Sequence, residues 1–318
     1  MKILLLQLDG KMPNIALMRL AAHHHGDDVE FRRAGNLDSL ERELWDAPDK
    51  VYASAIFQRS RPLCQRLLAI YPDATIGGSG WDEQMTVEKI GVTTKRQDYS
   101  IYPDWQSSIG YTQRGCRFKC AFCVVPRMEG AVSEENTIAD IWRGKPWPRE
   151  LILLDNDFFG QSHWRERIAE IRDGGFKVCF SQGINCRTLS DEAAAAIASV
   201  NYRSWRMNDR RLYTAWDNRG DESPLFRGLE ALKRNGVNPH DITVYMLIGF
   251  WPGETASDRE YRRKQLRDWG AEPYPMPFVR TKELVGFQRW VLGAYDKRVP
   301  WDKWEAAGYE PRKLGVIA

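Results

Sequence analysis

The sequence predicts an α/β chain in three parts: a small doubly wound domain over residues 1–100, an open, partial (β/α)6 barrel over residues 101–280, and a short C-terminal extension over residues 281–318. Two observations predict it. Short apolar runs alternate with amphipathic stretches along nearly the whole chain, and such alternation implies right-handed crossovers between parallel strands. In the second series the alternation repeats about six times, too few units to close an eight-stranded barrel but enough for an open one.

In the first series, strands are expected at Lys2 to Leu8, Asp28 to Phe31, Lys50 to Ile56 and Ala74 to Gly77. Helices are expected at Ile15 to His24, Leu37 to Trp45 and Pro62 to Ile70. In such sheets the loops that follow the strands face any ligand. Gly77, Gly78, Ser79 and Gly80 read as a tight turn, with a phosphate cradle as the alternative. A linker containing Asp98, Tyr99, Pro103 and Asp104 leads into the second series. Its strands are expected at Ile109 to Gln113, Leu151 to Leu154, Val178 to Gln182, Leu212 to Trp216, Thr243 to Ile248 and Pro273 to Pro277. Chemistry is expected at their C-terminal ends.

The 318 residues are 43% hydrophobic and 12% aromatic, which suits a well-buried core. Lys and Arg number 46 against 43 Asp and Glu, so the net charge of +3 leaves the class of partner open. The apolar run at the start is too short for a signal peptide and no stretch reaches a membrane span, so a cytoplasmic location without membrane contact is expected. Six cysteines are too few for a disulfide scaffold.

Three of those cysteines, Cys116, Cys120 and Cys123, form CxxxCxxC directly after the first expected barrel strand. Three thiolates on one short loop can ligate three irons of a 4Fe-4S cubane and leave the fourth iron open. A structural zinc site is the competing reading, with His163 as a fourth ligand brought in by folding. Cys64 and Cys179 read as core residues, and His23, His24 and His25 as the end of a helix.

CxxxCxxC with Phe122 just before its last cysteine resembles the signature of the radical S-adenosylmethionine (SAM) superfamily. That resemblance implies a 4Fe-4S cluster on Cys116, Cys120 and Cys123, with SAM as the second cofactor. Ile248-Gly249-Phe250-Trp251-Pro252-Gly253-Glu254-Thr255 resembles the superfamily's fifth-strand segment, which implies that Gly249 and Trp251 lie along the adenine. Trp251 interrupts the commoner Gly-Phe-Pro-Gly-Glu-Thr form, and Glu254 also suits the first turn of a helix. Asp155 and Asn156 stand where many members carry Gly-Gly-Glu, implying hydrogen bonds to the SAM ammonium. Gln182, Asn185 and Arg187 fall in a segment that resembles a Gln-Gly-(Leu)-Asp-x-Arg pattern, implying a bidentate grip by Arg187 on the SAM carboxylate. Pairing of Arg187 with Asp191 is the alternative. Asp217 is read as holding ribose hydroxyls or substrate, with helix capping as the alternative. Cys186, beside the expected site, is read as a hydrogen donor, substrate contact or ligand, with a small buried core residue as the alternative.

The order of a small Rossmann-like domain, then Tyr99 to Pro103, then the cysteine loop resembles cobalamin-dependent members. Yet Asp9-Gly10-Lys11-Met12-Pro13-Asn14 lacks the Asp-x-His-x-x-Gly loop of the cobalt ligand. The whole chain resembles a compact bacterial and phage branch, some of whose phage members are associated with hypermodified thymine in DNA. This implies radical chemistry of isomerase or transferase type on a modified DNA base, with electrons from a reductase or a flavodoxin-type donor. The alternatives are methylation or methylthiolation of RNA, a peptide or a metabolite, and a non-catalytic, zinc-stabilised nucleic-acid-binding protein. Trp290, Trp301 and Trp304 with the Arg and Lys of the tail would suit base stacking and phosphate contacts, or packing against the barrel.

Overall fold

A computed structural model describes residues 1–34 and 47–314. The helix expected at Leu37 to Trp45 lies outside the described residues. The protein is mixed α/β with parallel sheets and divides into two compact units, Met1–Ile109 and Gly110–Ala318. No helix among the described residues is long and apolar enough to cross a membrane.

The first unit contains β1 (Lys2–Gln7), α1 (Ile15–His23), β2 (Asp28–Arg33), β3 (Lys50–Ser54), α2 (Arg61–Ile70) and β4 (Thr75–Gly77). Its strands make one parallel sheet in the order β2-β1-β3-β4. The continuous apolar run of β1 is explained by burial on both faces. Leu4 and Leu6 join a cluster with Val51, Leu63 and Leu67, while Ile3 and Leu5 join Leu17 and Leu20 on the other side. The strand order reverses between β1 and β3, where ligands settle in open sheets. Here Asp9 fills that position. Its carboxylate accepts from the Ile56 and Phe57 amides at 2.8 and 2.9 Å and from the Ser60 hydroxyl at 2.6 Å. The glycine turn serves close packing: Gly78 has φ +107°, and a Cβ there would sit 2.4 Å from the Ala55 carbonyl oxygen.

At the start of the second unit come β5 (Ser108–Gly110), β6 (Gln113–Arg114), α3 (Val125–Met128), β7 (Ser133–Glu134) and α4 (Ile138–Ile141). Then follow β8 (Glu150–Leu153), α5 (Trp164–Asp173), β9 (Lys177–Phe180), α6 (Asp191–Ala198), β10 (Asn201–Tyr202), β11 (Leu212–Ala215) and α7 (Glu222–Arg234). The series ends with β12 (Ile242–Ile248), α8 (Ala256–Trp269), β13 (Glu272–Pro277), α9 (Lys282–Leu292) and α10 (Trp301–Ala306). The single strand expected from Ile109 to Gln113 is interrupted, because the amides of Thr112 and Gln113 turn to the Asp155 carboxyl, at 3.0 and 2.8 Å, instead of continuing a ladder.

The main strands fall into two sheets, β10-β9-β8-β5 and β11-β12-β13, in which β10 and β8 run parallel to β9, and β11 and β13 parallel to β12. The chain beyond β9 bridges them, with the Ile184 amide donating to the Tyr213 carbonyl at 2.8 Å. One core cluster runs through the unit and takes in Leu153, Phe180, Met246 and Ile248. It also takes in Trp290, Trp301 and Trp304, so the segment read as a separate extension is part of the second unit. The Trp290 and Trp304 indoles donate to the Val299 and Gly286 carbonyls at 2.8 and 3.1 Å. These tryptophans pack and do not stack on a base.

Candidate active site at the strand ends

The cysteine loop leaves β6 through Gly115, whose φ is +75° and whose Cβ, if present, would sit 2.1 Å from the Ala131 carbonyl oxygen. Only glycine fits there. The loop is closed by Glu129, which belongs to no motif in the sequence. Its carboxylate accepts from the Gly115 amide at 2.9 Å, from Arg114 at 3.0 Å and from the Asn156 side chain at 2.9 Å. The Cys116 amide reaches the Gly130 carbonyl at 3.3 Å, and the Cys123 amide reaches the Cys120 carbonyl at 3.0 Å.

Cys116, Cys120 and Cys123 are free thiols, each partly exposed. Burial pushes the Cys116 and Cys123 thiols above the usual range, and neighbouring thiols add to this, Cys123 and Cys120 acting on Cys116 and Cys120 acting on Cys123. As a donor set they suit an iron-sulfur cluster: three soft sulfur ligands, uncommitted to disulfides, on one loop with a glycine hinge. Among the described residues, no three His, Cys, Asp or Glu side chains converge as a set for a metal ion. His163 pairs with Glu134 at 2.5 Å.

Arg187 stands beside this loop. It lies near enough to the Cys120 thiol to interact with it electrostatically, its guanidinium carbon lies 5.5 Å from the Phe118 ring centroid, and Nη1 donates to Asp221 at 2.8 Å. Asn185 orients it, accepting from its amide and its Nε at 3.1 and 3.2 Å. The alternative pairing with Asp191 is not made, since Asp191 binds Arg234 at 2.7 Å. Gln182 is exposed, with Ser181 as its hydrogen-bond partner at 3.4 Å.

Asp155 and Asn156 differ from expectation. Asn156 is committed to Glu129, and Asp155, 3% exposed, turns Oδ1 to the loop amides and the Thr112 hydroxyl while Oδ2 has no partner. Asn156 braces the cysteine loop through Glu129, and Asp155 braces the strand that leads into it. Burial raises the Asp155 carboxyl from 3.8 to about 7, against the lowering effect of its hydrogen bonds. The folded state therefore holds a proton that the unfolded chain has lost, and stability falls as pH rises from about 4 to about 7, then levels. Asp155→Asn keeps an oxygen acceptor and removes the titration. Its urea midpoint is expected to drop less than the native one between about pH 5 and about pH 7.5; equal drops would remove Asp155 as the cause.

Asp217 caps no helix: α7 is entered through a turn capped by Asn218. Burial raises its carboxyl to about 6, opposed by Arg187 and Arg262, and it lies close enough to Cys123 to act on it. Its carbonyl accepts from the Trp251 indole at 2.7 Å, so the inserted tryptophan joins the ends of β11 and β12. Gly249 is in the left-handed region, φ +76°, and a Cβ would sit 2.3 Å from Leu284. Its amide donates to Glu254 at 2.5 Å.

Glu254 is not in a helical first turn, because α8 begins after the Thr255 cap. Its carboxylate folds back to Gly249 and to Arg262, which is 2% exposed and also donates to the Trp216 and Leu247 carbonyls at 2.8 and 3.0 Å. A signal for Arg262 exists in the sequence. Arg259, Arg262 and Leu266 share one face of α8 by three- and four-residue spacing, and that face is buried. Phe122 meets Phe250 edge to face at 5.6 Å, and Phe250 meets Phe278 at 4.7 Å, tying the cysteine loop to the ends of β12 and β13.

Of the two readings of Cys186, its surroundings are those of the packing residue. It is 1% exposed within the core, burial pushes its thiol up to about 12, and a Cβ on Gly228 of α7 would sit 1.9 Å from its carbonyl oxygen. A cavity of about 160 Å³ opens between the ends of β8 and β9, lined by Arg117, Asp157, Asn185, Trp164, Arg165 and Ser190 among others. Arg117 and Asp157 pair there at 2.8 Å.

No protein-family model matches the chain, and no curated protein matches it.

Proposed function

We propose that the chain is a radical SAM enzyme, and the observation that carries this reading is the braced loop of three free thiols, Cys116, Cys120 and Cys123, with the Arg187 cation near it. On this reading the two parallel sheets are the wall of a partial (β/α)6 barrel. The first unit is then a Rossmann-like, cobalamin-type domain whose ligand position is taken by Asp9.

Cys116, Cys120 and Cys123 would hold a 4Fe-4S cluster by three of its irons. When bound, such a cluster would supply an electron to SAM, and SAM would supply the carbon radical needed to abstract a hydrogen atom from a substrate. The chain's own residues position and shield. Arg187, set by Asn185 and Asp221, presents a cation beside Cys120 for a carboxylate. The Gly249 turn, held by Glu254, offers backbone to a flat base, and Asp217 offers a carboxyl to hydroxyls. Phe122, Phe250 and Trp251 form an apolar wall that limits water. The substrate proposed is a modified thymine base in DNA, with electrons from a reductase or a flavodoxin-type protein.

The test is anaerobic loading with iron and sulfide, followed by dithionite. The reading expects a brown protein whose reduced form has a paramagnetic signal that SAM alters. A colourless, zinc-bearing protein indifferent to dithionite would replace it with a structural zinc site.

A further inference from the structure

Burial of Trp290, Trp301 and Trp304 leaves the large exposed apolar side chains of the second unit, among the described residues, at Tyr274, Met276, Phe278, Val279 and Leu292. Four of the five lie in one short stretch. Tyr274 and Met276 alternate along β13 with the inward Pro273 and Pro275, and Phe278 continues their row, at 36, 46 and 51% exposure. Register extends this row across the sheet: Tyr274 lies opposite Tyr245 of β12, at 5.4 Å between ring centroids, and Tyr245 stacks on Tyr213 of β11 at 5.7 Å with 4° between planes. Phe278 touches Phe250, which touches Phe122 beside Cys123, so the row runs up to the cysteine loop.

β13 is the last strand of its sheet, yet it cannot accept an added strand in the ordinary way. The Phe278 amide donates to Ile248 across the ladder, so alternation turns residues 273, 275 and 277 toward the open side. All three are prolines, which have no amide to donate, and the outward Pro275 carbonyl is taken by Gln288 at 2.9 Å. What the strand presents is its side chains. They are ring faces and apolar surface, followed directly by exposed Arg280 and Lys282.

We infer that Tyr274, Met276 and Phe278 form a stacking platform for an unpaired base of a nucleic-acid strand, with Arg280 and Lys282 facing its phosphates. Rings accept any base by its face, and adjacent cations neutralise the backbone. The inference rests on the nucleic-acid substrate proposed above and adds where that strand lies. A peptide seeking an open strand edge finds no donors here.

The experiment measures binding of a short single-stranded oligodeoxynucleotide carrying 2-aminopurine to the loaded full chain, by anisotropy and by fluorescence quenching. Tyr274→Leu and Phe278→Leu are expected to bind roughly tenfold more weakly and to lose the quenching, while Tyr274→Phe, which keeps the ring, behaves as the native protein. Arg280→Ala should lower the salt dependence by about one released counterion. Native binding that neither leucine variant weakens would overturn the platform and leave the DNA substrate standing. A native protein that binds neither single-stranded nor duplex oligonucleotide would remove the DNA substrate and the platform together.

Discussion

Cys120→Ala is expected to abolish both iron-sulfur loading and SAM cleavage, taking 5'-deoxyadenosine formation to background. Two thiolates alone would be too few protein ligands to retain such a cluster. Cys120 is partly exposed and its thiol is no part of the core clusters, so the unloaded variant should unfold within about 1 kcal/mol of the unloaded native protein. This separation between folding and loading makes the result interpretable. Iron and sulfide content, measured beside deoxyadenosine by chromatography, checks it. An active Cys120→Ala protein would overturn the cluster assignment.

Arg262→Met is expected to cost about 3–5 kcal/mol of stability, because it leaves the buried Glu254 carboxylate without its main cation and the Trp216 and Leu247 carbonyls without a donor. Burial already depresses the Arg262 guanidinium, so the pair survives through its contacts and not through the ease of charging it. Adding Glu254→Gln should recover part of the loss, since a neutral amide can keep an acceptor near Gly249 without a buried charge. Urea unfolding of the single and double variants gives both values. A single-variant loss below about 1 kcal/mol would show that the pair does not fasten the strand ends.

What was legible in the sequence is what period and spacing encode. The unbroken apolar run Ile3 to Leu6 signals a strand covered on both faces, and β1 is such a strand. The cysteine spacing also stood in the sequence, as did five of the six strands expected in the second series, the first being interrupted at Tyr111. What was not legible depends on which side chain captures which amide. Nothing in Thr112-Gln113 announces that Asp155, more than forty positions later, will draw both amides from the ladder. Glu129 carries no signature, because a loop brace is recognised only through its partners. The tail tryptophans, spaced for stacking or packing alike, were decided by the core they complete. Asp155, Asn156 and Cys186 were placed by position in a motif, and each proved to be bound or buried for local reasons.

The central claim is that the loop of Cys116, Cys120 and Cys123 serves radical chemistry on SAM. The most direct measurement is 5'-deoxyadenosine formed by the anaerobically loaded, dithionite-reduced protein supplied with SAM, with and without DNA carrying modified thymine. The claim predicts deoxyadenosine that requires the cluster and rises with that DNA. Formation indifferent to DNA would retain the chemistry and discard the substrate, and no deoxyadenosine from a fully loaded cluster would contradict the claim itself.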